Sequence, residues 1–547
     1  MQEDLMPEPK TFLSIDQNSH SLWDTLPKLQ VLARHGIRGT HLLEDVDTAF
    51  TRRGASLGDA RLELARERMY RDGSLDWGAA LFYSDFLGRT PLNVRDIEDY
   101  TGMSIKSLAK KTSREVEKLF DHYGESDNWQ LIGSSYAGDK NHHRTVGDLR
   151  RGEIEPFLRQ LLQHARQDLL HAFPDADAQK RIENWFDTEQ NRLDDLLRDF
   201  NNSTLPRLYH GWLSSYLNDG AVALDYTSKY LSLAKAREQP ESPLINTILK
   251  HYAKFADCYN QAVAETATGI APLDVGRGEL PFFAVWSDDQ SMVRAPMFVQ
   301  DGQLSAGDNA WDLTPAGELP FEALQRDGVT AVVGKALVLV LQVRLPPYSI
   351  PLVLPYQGSL YMPAAHRLGE LLLERDLIPQ APVPVYRVRF RLLEQMREAD
   401  VIMRPPPYLR GYLGSDELNA GDFAEQLPEC VTRARETLAN LKDDDSRQSE
   451  SARLTPNLTA KIQELETRQR ELARDPKTRS QASAVWQDIK QLRTKQLVQL
   501  MDAIVDALHV ANIEYWDSRG ALLPWSIALG GQAFYENLLE SAEIYAE

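Results

Sequence analysis

Cysteine is the scarcest functional residue in the chain, with only Cys258 and Cys430 in 547 residues, and no CxxC spacing. A disulfide framework and a cysteine zinc site are both excluded by that shortage, and the two thiols read as ordinary buried side chains. Positive charge is also short. Lys and Arg number 61 against 80 Asp and Glu, for a net charge of −19, so the averaged field repels nucleic acid and anionic lipid. No apolar run is long enough to span a bilayer; the longest, near residues 329–341, is broken by Gly334 and Lys335. The amino-terminal stretch shows no basic region leading into an apolar one, so a cytoplasmic location is expected. GxGxxG, HExxH and EF-hand patterns are missing as well.

What is present is ordinary globular material, 42% hydrophobic and 26% charged, in a chain long enough for two to four domains. Texture divides it into four stretches. Residues 1–150 mix short helices with polar loops, and Thr112 with Glu115 reads as a capping box opening a helix. Residues 151–270 are helical, with apolar stripes such as Ile182, Phe186, Leu193 and Leu197 that describe core faces. Between 271 and 415 short β-branched runs appear at 281–286, 329–333, 336–341 and 383–390, with a helix over 364–374, which is α/β chemistry. From 416 to 547 helices return, interrupted by a polar gap at 442–451. A helical arm follows, turning at Asp475-Pro476, and offers a surface for homo-oligomer formation. The fold class expected is α/β plus all-α.

The densest set of chemical groups lies at 126–144. Gly133 and Gly138 allow backbone approach, while Ser134, Ser135 and Tyr136 supply hydroxyls. Asp139, Lys140, His142, His143 and Arg144 supply charge and proton transfer. In this reading His142 or His143 is the acid or base, Asp139 orients it, and Lys140 with Arg144 clamps an anionic substrate. The bland alternative is a solvated loop between helical regions.

Arg34-His35-Gly-Ile-Arg38 resembles the histidine phosphatase signature, which implies phosphoryl transfer through His35. A helix end with exposed arginines is the better reading, because Thr40 stands where the acid-phosphatase branch has proline. Gly328 to Lys335 imitates a P-loop, but it has the wrong glycine spacing and Ala336 in place of the magnesium-binding hydroxyl. Residues 104–120 loosely follow helix-turn-helix spacing without its turn glycine, so a plain helix pair is expected. Arg387, Arg389 and Arg391 share one face of a strand, either lining an anion site or protecting a solvated edge.

Gly278-Glu-Leu-Pro-Phe-Phe283 and the stretch from Gly334 to Pro384 resemble the bacillithiol-forming cysteine ligase family. The matching features are Leu354-Pro-Tyr-Gln-Gly358, the helix through His366 and Arg367, and Ala381-Pro-Val-Pro-Val-Tyr386. Gln357-Gly358-Ser359 departs from the family's adjacent glycines. The resemblance implies a Rossmann-like core with a coiled-coil arm, a nucleotide as cofactor, and a ligase or amino-acid-transferring reaction. It also implies that Gly358, Tyr361 and His366 lie near a ligand pocket. The combined expectation is a cytosolic enzyme for a small anionic or amino-acid-like substrate. Its rival is a non-catalytic interaction or scaffold protein that uses the arm.

Overall fold

The computed structural model describes residues 11–16, 22–47, 50–51, 94–116, 119, 130–131, 144–199, 203–217, 220–239, 242–266, 268, 270–288, 291–356, 359, 361–511 and 522–547. Along the chain the strands of its two large sheets are β1 (Thr11–Asp16), β2 (Arg38–Leu43), β3 (Val222–Tyr226) and β4 (Glu279–Ser287). They continue with β5 (Met292–Gln300), β6 (Gln303–Ala306), β7 (Asn309–Asp312) and β8 (Val329–Gly334). The last are β9 (Leu352–Pro355), β10 (Val385–Arg389) and β11 (Glu543–Ala546).

The first sheet has the order β11-β10-β9-β1-β2-β3. All its pairs are parallel except β10 with β11. It therefore draws strands from all four stretches of the chain. Period-two alternation gives it two buried faces. Phe12, Leu43, Val353 and Val388 pack into one core, and Leu13, Ile15, Leu42, Leu352, Leu354 and Val385 into the other. The helix after β1, α1 (Leu22–Arg34), joins the first core. The helix after β9, α2 (Met362–Glu374), joins the second. The connections thus leave the sheet on opposite faces at neighbouring strands β1 and β9. The second sheet, order β8-β4-β5-β6-β7, is wholly antiparallel and lies in sequence between β3 and β9.

Under α1 a buried carboxylate anchors the helical layer. Glu189, 1% exposed at its side chain, accepts from the indoles of Trp23 (3.4 Å) and Trp212 (3.0 Å), from Tyr216 Oη (2.5 Å) and from Arg192 (2.8 Å). Four donors around one buried carboxylate hold the helices at fixed separation. The carboxyl-terminal region contains α3 (Pro456–Ala473) and α4 (Arg479–Ala511). They run antiparallel: Gln496 bonds Thr455 and Thr459, and Arg493 pairs with Glu466, around a turn at Pro476–Thr478. Ile462, Val485 and Ile489 give this hairpin an apolar seam of its own. Among the described residues no helix is long and apolar enough to cross a membrane.

Several local expectations are corrected. Residues 336–341, read as a strand, form a helix, Ala336–Gln342. Its residues Leu337 to Leu341 are all buried, and an apolar run with no polar face carries no period to separate strand from helix. Thr112 closes a helix (Ile105–Thr112), with Ser113 left-handed at its end, where a capping box had been read as opening one. The polar gap at 442–451 is largely helix, Asp444–Leu454. Asp443 caps it by accepting from Ser446 N at 3.0 Å, and Arg447–Asp444 and Arg453–Glu450 pairs lace its surface. Strand β10 is internal, flanked by β9 and β11, so its arginines do not protect an edge. Both cysteines are buried and unpaired with each other, as the sequence indicated.

Candidate functional site

In an open parallel sheet, ligands bind beyond the carboxyl ends of the strands, where the connections change face. Here that place is the end of β1, between β9 and β2. From the β2 side comes the turn Glu44-Asp45-Val46-Asp47. Glu44 is 4% exposed. Its Oε1 accepts from Val46 N (2.8 Å) and Asp47 N (3.0 Å), and its Oε2 accepts from Thr227 Oγ1 (2.9 Å). Asp45 is 3% exposed and accepts from Ser228 N (2.9 Å) and Ser228 Oγ (2.5 Å). These bonds tie the β2 turn to the short helix Thr227–Tyr230 that follows β3.

The carboxyls titrate unusually because they are out of water. Burial, with help from Asp45 and Asp47, pushes Glu44 up to about 8. Burial pushes Asp45 up to about 6, against the opposing bonds from Ser228. At neutral pH Glu44 carries a proton while its neighbour is largely ionised. Environments that separate two carboxyl pKa values in this way define a donor and an acceptor.

The turn is also stitched to the second sheet. Gly147 N donates to the Asp45 carbonyl at 2.8 Å and Val146 N to that of Asp47 at 2.9 Å. Thr145 Oγ1 donates to the Met292 carbonyl at 2.9 Å, and Arg144 bridges Val293. A Cβ at position 147 would lie 2.9 Å from the Asp45 carbonyl oxygen, so the close backbone approach requires glycine. Arg294, 4% exposed, donates to the Val46 carbonyl at 3.0 Å, lies 3.5 Å from Asp47 and stacks over Phe283.

From the β9 side comes Tyr361, at the start of α2. Its hydroxyl is shut off from solvent and makes no hydrogen bond of ordinary geometry. Burial pushes its pKa up, a side-chain hydrogen-bonding interaction with Ser359 pulls it down, and Asp47, Arg387 and Glu44 act on it electrostatically. Tyr361 from beyond β9 and Glu44 from beyond β2 therefore lie within electrostatic range of each other across β1, the strand between them.

Of the residues singled out in sequence, Tyr361 reaches this place. His366 lies further along α2, beneath the rim. Gly358, Ser134, Ser135, Tyr136, Asp139, Lys140, His142 and His143 lie outside the described residues. Arg144, the last of the polar segment, is described; it pairs with Asp148 at 3.0 Å beside the stitched turn. Reading the sequence missed Glu44, Asp45 and Arg294. The available signal was the apolar His41-Leu42-Leu43 running straight into two carboxylates. His35 is exposed at the turn entering β2, the opposite edge of the sheet, and Arg34 pairs with Glu536 and Glu540. His142 and His143, one of which the phosphoryl-transfer reading needs across a cleft from His35, lie outside the described residues.

Among the described residues no group of three or more His, Cys, Asp or Glu is arranged to hold a metal ion. A cleft of about 990 Å³ lies elsewhere, lined by Asp175, Asp177, Arg181, Glu398 and Asp400 with Phe534. It is open and acidic, and Asp175 and Asp400 already accept from Ile402 N and Asn419. The chemistry of the rim, with perturbed carboxyls at a strand terminus, makes that the stronger site. Compared with known proteins, the chain matches no family, no curated protein and no solved structure.

Proposed function

We propose that the chain is an enzyme of ligase or transferase type that takes a small anionic or amino-acid-like substrate at the carboxyl edge of the six-stranded sheet. The observation that carries this reading is the Tyr361 hydroxyl, buried over the end of β1 with Ser359 beside it and no hydrogen bond of ordinary geometry. A polar atom in that state is costly unless something completes its bonding. A ligand group seated in the crevice would do so. Glu44 and Asp45 hold the turn that forms one wall, and their separated pKa values suit proton transfer near neutral pH.

The strand order is that of Rossmann-type sheets, which supports a nucleotide-binding-like core. Asp16-Gln-Asn-Ser-His20 follows β1 in place of a glycine-rich phosphate loop, so a dinucleotide is the less favoured nucleotide class. The sheet together with the α3–α4 hairpin agrees with the architecture implied by the resemblance to the cysteine ligase family. The test is a thermal-shift screen against nucleotides, amino acids, thiols and sugar phosphates, run on the protein and on Tyr361→Phe. A saturable rise that the variant loses supports the reading, and a rise that it keeps moves the site elsewhere.

The second reading is an interaction protein working through the helical hairpin. The observation favouring it is Trp486, 45% exposed on α4. Sedimentation of the protein and Trp486→Ala tests it: self-association lost in the variant would support the hairpin as an interface.

A further inference from the structure

Four ionisable groups converge on the face of the sheet covered by α2. Arg387, 6% exposed, forks onto Glu547, with Nε donating to Oε2 at 2.8 Å and Nη2 to Oε1 at 3.0 Å. Its Nη1 donates to the Pro355 carbonyl at 2.9 Å. Arg344, 4% exposed, donates from Nε to the Val383 carbonyl at 2.6 Å, while its Nη1 is buried with no acceptor. His366 Nε2 is buried without a hydrogen bond, 3.9 Å from Glu547 Oε2. The groups act on one another: burial, Arg344 and Arg387 lower His366, while Glu547 and Glu370 raise it. Burial likewise lowers Arg344 to about 10, which leaves it charged at neutral pH.

The Glu547 carboxylate pairs with Arg387 and faces the His366 imidazole, and Arg344 Nη1 and His366 Nε2 are left without an acceptor. Those two buried nitrogens call for an acceptor placed between them, which an oxyanion would supply. Glu547 is also the group best able to leave. Its side chain is 33% exposed, and its backbone stays anchored through Glu547 N to the Val385 carbonyl at 2.8 Å.

We propose that Arg387, Arg344 and His366 form a binding site for a small carboxylate-bearing ligand, and that the Glu547 side chain fills this site until the ligand displaces it. The fork of Arg387 already holds the two oxygens of one carboxylate, and a ligand carboxylate in the place of Glu547 would take over the same two bonds. The space the ligand's carboxylate needs is the space the Glu547 carboxylate occupies. The proposal goes beyond the function assigned to the rim and does not rest on it.

Malonate is the probe, titrated into the full chain by calorimetry and thermal shift against chloride at matched ionic strength, with inorganic phosphate as a second arm. Glu547→Gln removes the competing charge and keeps an amide oxygen for Arg387. It should bind malonate about tenfold more tightly than the wild type, because the internal competitor no longer lowers the competent fraction. Adding Arg344→Gln should undo that gain, and Tyr361→Phe should leave malonate binding unchanged, which separates this site from the rim. If Glu547→Gln does not fold, the wild type and Arg344→Gln give the same comparison at higher malonate. A chain that shows no response beyond chloride overturns the proposal. So does malonate binding that survives Arg344→Gln, and phosphate binding as tight as malonate overturns the carboxylate assignment.

Discussion

Replacing Glu44 with glutamine is expected to remove a substantial share of the stability that the protein loses as pH rises from 5 to 9, with buried Asp506, held at about 7, and Asp45 supplying the rest. The folded state holds this carboxyl at about 8, against an ordinary value of 4.5. Between those two values the folded chain keeps a proton that the unfolded chain has released, so stability is intact below 4.5 and falls as pH rises towards 8. At about 1.4 kcal/mol per pH unit, the full loss is on the order of 5 kcal/mol, a large part of an ordinary folding free energy. Glutamine mimics the protonated acid. Its oxygen can accept from Val46 N and Asp47 N, and its amide can donate to Thr227 Oγ1, whose own hydrogen can turn to the Leu43 carbonyl 3.5 Å away. Urea unfolding of both proteins at pH 5, 7 and 9 is the assay. The two should agree within about 1 kcal/mol at pH 5, and the variant should be more stable by several kcal/mol at pH 9. Parallel curves from pH 5 to 9 would refute the reasoning about this turn. Asp45, held at about 6 against 3.8, contributes a smaller loss of the same sign at lower pH, and the variant should retain it.

Two further substitutions probe the frame around the site. Glu189→Ala strands the donors of Trp23, Trp212, Tyr216 and Arg192 in the interior, and should cost about 3 kcal/mol or more in urea unfolding; a change below 1 kcal/mol would contradict the anchor role. Gly278 has φ +67°, and a Cβ there would overlap the Val299 carbonyl oxygen, so Gly278→Ala should lower stability by roughly 2–4 kcal/mol. Thermal melting checks this, and an unchanged midpoint would contradict the strain.

The helical layer was legible because Ile182, Phe186, Leu193 and Leu197 repeat at helical spacing, and the structure buries all four. The strand at Val329–Gly334 and the helix at Met362–Glu374 were equally plain, each having a period and a clear boundary. The six-stranded sheet was not. Its central pairing, Leu13 with Leu352, joins residues far apart in the chain through backbone bonds that leave no mark on residue type. Strands as short as Thr11–Asp16 carry too little alternation to be found alone. The site suffered from the same blindness. Glu44 and Tyr361 come within electrostatic range of each other only because β1 lies between β9 and β2, whereas the chemical groups of 126–144 are adjacent in sequence. Tyr361 was reached through the family resemblance, and Asp45 and Arg294 only through coordinates.

The most direct test of the central claim is the ligand screen on Tyr361→Phe. The variant loses only a hydroxyl with no hydrogen bond of ordinary geometry, so its unliganded melting point should match the wild type within a degree or two. A small anionic or amino-acid-like ligand is expected to raise the wild-type melting temperature, and the variant to lose at least tenfold in affinity for it. If every ligand found among the nucleotides, amino acids, thiols and sugar phosphates is bound equally well by both proteins, the placement of the site over the end of β1 is contradicted; malonate, which belongs to the arginine site, is outside this comparison.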